Sequence, residues 1–400
     1  MFKINSDFYK FTTLNILDKA IAYVTPLLIL HFFNDIYLYT SIEFVYSMTL
    51  IINIAIDFGL RGYMNYSFRF EKKVEDYTSS IIKTFNFLLL IYSILFILIF
   101  LISKNYLQID YSIIYLIFVR GIYLSIINIY RVYFRLNSNP IYIFIISIPI
   151  QIFTVILILI FYHFNKQFYL HYFFISILIF LICYFIKIIL KKEIQFNLFE
   201  NIKFIKKSLK YYWAIIFSSI ISIMIGNYAK VYSYLNLSEI ETAKISFLLR
   251  TLMLIQLMHS SFAAFNLKKI FSNSSKVMSK KLFYSYLIIL LFSSILVMIL
   301  ISAYSKYLNL NYTIDLTFIF LYIYVLSWCI GAYFEQYISK FNKNINILYN
   351  NLISIASYFM VIYYYKDISI MVLSFAMAFS SLIYSILTII RVNKLNIKIS

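Results

Sequence analysis

The chain has 400 residues, of which 63% are hydrophobic and only 13% charged, with a formal net charge of +19 and two cysteines. That balance leaves no room for a soluble domain. Cys183 and Cys329 both fall within apolar stretches, which excludes a disulfide framework and a cysteine-based metal site.

A helix rises about 1.5 Å per residue and the hydrocarbon core is about 30 Å thick, so roughly 20 apolar residues make one crossing. Twelve stretches qualify, near 12–33, 38–60, 80–103, 109–134, 140–163, 168–190, 210–234, 239–264, 282–303, 313–336, 344–364 and 368–390. They are too long for tilted barrel strands and too uniformly apolar to alternate, so helices that satisfy their own backbone groups are predicted. Of the 35 Lys and Arg residues, 26 fall in the seven segments that share one side with both ends of the sequence. Six fall toward the other side (Lys104, Lys166, Lys306 and Lys366, with Lys230 and Lys244 in the outer parts of their spans), and Lys19, Arg120 and Arg250 make up the rest within spans. The positive-inside rule then places both termini in the cytoplasm. The net charge is assigned to loops facing an anionic leaflet, not to nucleic acid. The first span carries no small-residue cleavage site, so it reads as a membrane span and not as a signal peptide.

The expected fold class is an all-α membrane protein of about twelve transmembrane helices. They divide into an N-terminal six-helix bundle (1–190), a basic linker (191–209) and a C-terminal six-helix bundle (210–400). Six helices per half keep both halves in one orientation, as in a parallel repeat. Glu43 and Glu241 each fall near the start of the second helix of their half.

Polar residues inside spans carry the functional signal, because a charge at the bilayer centre costs at least about 2.5–3.5 kcal/mol. In the first span Asn15, Asp18, Lys19 and Thr25 accompany Pro26, whose missing N–H predicts a kink. Asp18 and Lys19 either face a polar path or reach water at the cytoplasmic interface. In the second span Glu43, Ser47, Leu50, Asn53, Asp57 and Arg61 stay within about 120° of each other at helical spacing. This stripe either lines a cavity or ends in an ordinary Asp57–Arg61 ion pair. In the fourth span Arg120, Arg131 and Arg135 share a face; Arg120 lies deepest and needs a partner, for which Glu335 is one option.

The seventh span sets Ser219, Ser222, Gly226, Lys230 and Ser233 on one face, with Asn227 beside it. Small residues so spaced read first as close helix packing, but packing does not require the Lys230 ammonium. The eighth span adds Lys244, Arg250, Thr251, Gln256 and His259. Arg250 is the leading candidate for a substrate cation, and His259 reads as an interfacial histidine. The substrate-path candidates are therefore Arg250, Lys230, Lys244, Arg120, Lys19, Asn53 and Asn227; the coupling-ion candidates are Asp18, Glu43 and Asp57. No Walker A loop, metal spacing or nucleophile constellation is present, so neither an enzyme nor a cofactor is expected.

The layout of two six-helix halves, the basic break, the first-helix proline and the run Asp57, Phe58, Gly59, Leu60 before Arg61 together resemble Wzx-type polysaccharide flippases. These belong to the multidrug/oligosaccharidyl-lipid/polysaccharide (MOP) exporter superfamily, whose fold is MATE-like. The resemblance implies that an undecaprenyl-diphosphate-linked oligosaccharide, such as an O-antigen repeat unit, crosses from the cytoplasmic to the periplasmic leaflet of a bacterial inner membrane by alternating access. As partners it implies the lipid-linked oligosaccharide, membrane lipids, and the polymerase and chain-length regulator of the same pathway. A drug/cation antiporter of the superfamily would share the fold but favour acidic cavity residues. The lipid II flippase branch usually has fourteen spans. An O-antigen polymerase would carry a long outer loop with arginines, and the outer loops here are about ten residues.

Overall fold

The computed structural model describes residues 6–57, 59–64, 74–103, 111–137, 141–164, 167–194, 196–272, 277–307, 315–341, 343–365, 367–395 and 398–399. Phe58 of the short motif, and Lys104, Lys166 and Lys366 of the charge census, lie outside them.

The chain is almost wholly helical. Among the described residues twelve α-helices longer than fifteen residues follow one another, one on each predicted span. They are α1 (Ser6–Phe33), α2 (Ile36–Asp57), α3 (Val74–Ser103), α4 (Tyr111–Asn137), α5 (Tyr142–His163), α6 (Ile175–Leu190), α7 (Leu198–Asn236), α8 (Glu239–Ser272), α9 (Lys280–Tyr307), α10 (Leu316–Lys340), α11 (Asn344–Tyr364) and α12 (Ile370–Lys394). A 3₁₀ turn, Leu170–Phe174, leads into α6. Val277–Met278 and Lys398–Ile399 form a two-residue parallel strand pair. Among the described residues, eleven helices are long and apolar enough to cross a membrane. Glu43, Asn53, Asp57 and several hydroxyls lie among the apolar residues of α2.

Helix ends follow side-chain chemistry. Asp35 accepts the Leu38 amide at 2.8 Å to start α2, and Asn197 accepts the Phe199 amide at 3.1 Å to start α7. Ser238 and Glu241 form a reciprocal capping box at α8: each side chain accepts the other's backbone N–H at 3.3 Å. Asp315 caps α10 and Ser369 caps α12. At the far end of α2, Gly59 adopts φ +74° and donates its amide to Asp57 at 2.9 Å. A Cβ there would lie 2.5 Å from Ile216 Cδ1, so both the backbone angle and the close approach of α7 require glycine. Pro26 lies inside α1, which continues to Phe33, and the Thr25 hydroxyl turns back to the Ile21 carbonyl.

The chain divides into two compact units, Met1–Ile216 and Phe217–Ser400. The basic segment 191–209 thus falls in the first unit, and from Leu198 onward it is the opening of the 39-residue α7. In the first unit α2 packs chiefly on α4, and α1 on α5. In the second unit α12 packs on α10 and α11, while α8 packs on α9 and α10.

Large apolar side chains are exposed on the outer faces of α5, α6 and α9, such as Ile145, Ile182, Ile288 and Ile299. Serines and asparagines lie inside instead. That inversion fits a lipid solvent, in which interhelical contact comes from small and polar side chains.

Candidate functional site

In the first unit the polar side chains of four helices converge. Asp18 of α1 is buried, and its two oxygens accept from Arg131 Nη2 of α4 at 3.3 Å and Gln151 Nε2 of α5 at 2.8 Å. Lys19 lies in the combined field of Arg131, Asp18 and Arg120. The Arg120 guanidinium sits 3.3 Å above the centroid of the Tyr46 ring of α2, a cation–π contact. Tyr123, one turn along α4 from Arg120, interacts with Asp18, Arg120, Arg131 and Tyr46 alike. Three half-buried cations (Lys19, Arg120 and Arg131) therefore surround one buried carboxylate. The cluster lies inside a membrane-spanning bundle, where ionisable groups are retained for partners or for function.

Glu43, Ser47, Asn53 and Asp57 of the α2 stripe are buried, Glu43 with no exposed surface, while Leu50 and Arg61 are half-buried. The lower half of the stripe is occupied by protein contacts. Asn53 Oδ1 accepts the Ser125 hydroxyl at 3.0 Å, and Gly121 lets α4 approach until a Cβ there would stand 3.2 Å from Ile52. Asp57 pairs with Arg61. Glu241 differs from Glu43: it caps an exposed helix start, whereas Glu43 lies two turns inside α2.

In the second unit Lys230 and Arg250 are 3% and 4% exposed. Ser233 donates to the Lys230 carbonyl at 3.1 Å, and Asn227 Nδ2 to the Ile223 carbonyl at 2.9 Å. The small-residue face of α7 meets α10: Trp328 Nε1 donates to Ser222 Oγ at 3.2 Å, and a Cβ on Gly226 would stand 2.7 Å from the Tyr324 hydroxyl. Lys244 forms an ion pair with Asp315. Burial pushes the Asp315 carboxyl up, but the Lys244 ammonium and the Phe318 amide outweigh it and hold its pKa below 3.8.

His259 is satisfied within the protein. Tyr286 donates its single proton to the Cys329 carbonyl at 2.7 Å, so its hydroxyl oxygen accepts from His259 Nδ1, 2.7 Å away. Glu335 is bound by the Tyr384 hydroxyl of α12, which fills the role the sequence had offered to Arg120. Arg391 donates to Asn350 Oδ1 at 2.6 Å and Asn346 Oδ1 at 2.8 Å, and Asn350 Nδ2 to Thr388 at 3.1 Å. These are amide and hydroxyl links between α11 and α12.

Sequence reasoning missed Gln151, Tyr46 and Tyr123. Gln151 did leave a signal, as a lone amide two residues after Pro149 in an otherwise apolar span. The tyrosines left none, being 2 among 40.

No protein-family description and no curated protein matches the sequence. Solved structures do match. A MOP superfamily transporter from Pyrococcus furiosus, reported as having a binding pocket of reversed polarity that suggests a different function, aligns over 98% of this chain and 96% of its own. The identity is 9% and the TM-score 0.50. A multidrug resistance MATE family transporter in an outward-facing conformation aligns over the same shares at 9% identity and a TM-score of 0.49. The chain therefore has the fold of a MOP superfamily transporter and is a multi-pass membrane protein.

Proposed function

We propose that this protein is a flippase. It moves an undecaprenyl-diphosphate-linked oligosaccharide from the cytoplasmic to the periplasmic leaflet of a bacterial inner membrane by alternating access. It acts as a transporter, with no bond made or broken.

The observation that carries this reading is the set of cations placed inside the two helical units. Lys19, Arg120 and Arg131 surround Asp18 in the first unit, and Lys230 and Arg250 are buried in the second. A diphosphate crossing a low-dielectric layer needs cations along its route, and guanidinium and ammonium groups are its usual binders. The prenyl tail stays in lipid while the saccharide crosses. A drug/cation antiporter would use the same fold, but its cargo would be repelled by this cluster. Asp18, already held between two donors, is the candidate for coupling to an ion gradient.

The test is expression in cells deleted for their own O-antigen flippase and supplied with the matching sugar-synthesis genes, with surface polysaccharide as readout. Wild type is expected to restore it, while Arg120→Ala, Lys230→Ala and Arg250→Ala lose most of it at equal membrane abundance. Restoration by wild type and by all three variants would remove the cationic route. No restoration by wild type would remove the flippase reading.

A further inference from the structure

The first unit holds a second polar feature, away from the cation cluster. A cavity of about 330 Å³ is lined by Asp35, Tyr37, Ser41, Ser112, Gln167, Tyr169 and His171 among others. It lies where α1 ends, α2 and α4 begin, and the 3₁₀ turn leads into α6. Arg61, Arg131 and the basic residues from Lys187 mark the opposite ends of α2, α4 and α6. The positive-inside census assigns the cavity end to the periplasmic face.

Its chemistry is specific. Tyr169 and His171 stack with centroids 5.6 Å apart and ring planes 7° from parallel, and both are exposed. Tyr37 is exposed as well. Asp35 uses Oδ1 to cap α2, which leaves its second oxygen as an acceptor. Gln167 accepts the Tyr169 hydroxyl at 2.9 Å through Oε1, which leaves its two N–H donors. Flat aromatic faces beside an open acceptor and an open donor fit a ring that has an apolar face and hydroxyls on its rim. The volume is at the small end of ligand sites, about 300–1,000 Å³.

We infer that this cavity is a saccharide site, which receives one sugar ring of the cargo on the periplasmic side. The inference rests on the flippase reading. Asp35 sets its specificity: a carboxylate accepts hydroxyl and amide protons but repels a uronic acid, so the ring bound is neutral or N-acetylated.

The test uses the full chain in lipid nanodiscs and saturation-transfer NMR, with the methyl glycosides of N-acetylglucosamine and of glucuronic acid as probes. The first is expected to bind, and the second to bind at least several-fold more weakly. Gln167→Ala and Tyr169→Ala should each weaken the first by about tenfold. Asp35→Asn keeps the helix cap and should admit the glucuronide. A short-chain prenyl-diphosphate disaccharide should displace the bound glycoside; failure to displace it would overturn the assignment to cargo. Absence of binding by either glycoside, or equal binding in all variants, would overturn the site itself. Surface polysaccharide is scored separately. Failure of wild type to restore export while it binds the glycoside counts against the flippase reading, and intact export without binding counts against the cavity.

Discussion

The two units bury polar groups in opposite ways. In the first, charge is set against charge: Asp18 joins Arg131 and Gln151 from two other helices, with Lys19 and Arg120 in the same field. In the second, helices α10 to α12 are joined mainly by neutral links, such as Ser327 to Ser381 at 2.6 Å and Ser354 to the Ser380 carbonyl at 2.8 Å. Neutral hydrogen bonds hold helices together in lipid at modest energy. Charged groups are costlier to bury in lipid, so their meeting in the first unit asks for more than packing as its reason.

The sharpest way to break the comparison is Asp18→Ala. It removes the carboxylate that Arg131 and Gln151 hold and should cost about 3 kcal/mol, the lower end for a broken buried pair because Arg131 is partly exposed. Thermal unfolding in nanodiscs would read this, and a loss below 1 kcal/mol would mean that lipid or water already neutralises the cluster. Tyr384→Phe tests the second unit. It strips the hydroxyl from Glu335, which carries no ion pair among the described residues, and should cost about 1–3 kcal/mol. Gly59→Ala is expected to cost a similar amount, about 1–3 kcal/mol, through its φ of +74° and the Ile216 contact.

The smallest effect belongs to the Lys244–Asp315 pair, which is partly exposed, so Lys244→Ala should cost less than about 1 kcal/mol. Its pH dependence has a fixed sign. Because the folded pKa of Asp315 is depressed below 3.8, the contribution is complete above that value and is lost as pH falls through the folded pKa. Asp315→Asn should remove this acid sensitivity while keeping the α10 cap. Acid melts of the two proteins would separate the charge from the cap.

The helices were legible because length and hydropathy alone decide them in lipid. All twelve predicted spans coincide with helices, and α11 matches to the residue, at 344–364. The site was legible only in part. Asp18, Lys19 and Arg120 announce themselves as charges in apolar stretches, but which charges meet depends on helix rotation and tilt. Hydropathy does not encode either. Glu335 shows the consequence: its partner is a tyrosine on α12, and nothing in spacing distinguishes Tyr384 from 39 other tyrosines. Lys244 misled in a different way. Read as a lone intramembrane cation, it lies one and a half turns from the start of α8, within reach of the Asp315 cap.

The most direct test of the central claim is transbilayer movement in proteoliposomes. The probe is a short-chain prenyl-diphosphate saccharide with a fluorescent sugar label, read by accessibility to a membrane-impermeant quencher. The account predicts movement by wild type and at least a tenfold loss in Arg120→Gln and in Lys19→Gln, with folding intact. Movement at the wild-type rate in both variants would contradict it.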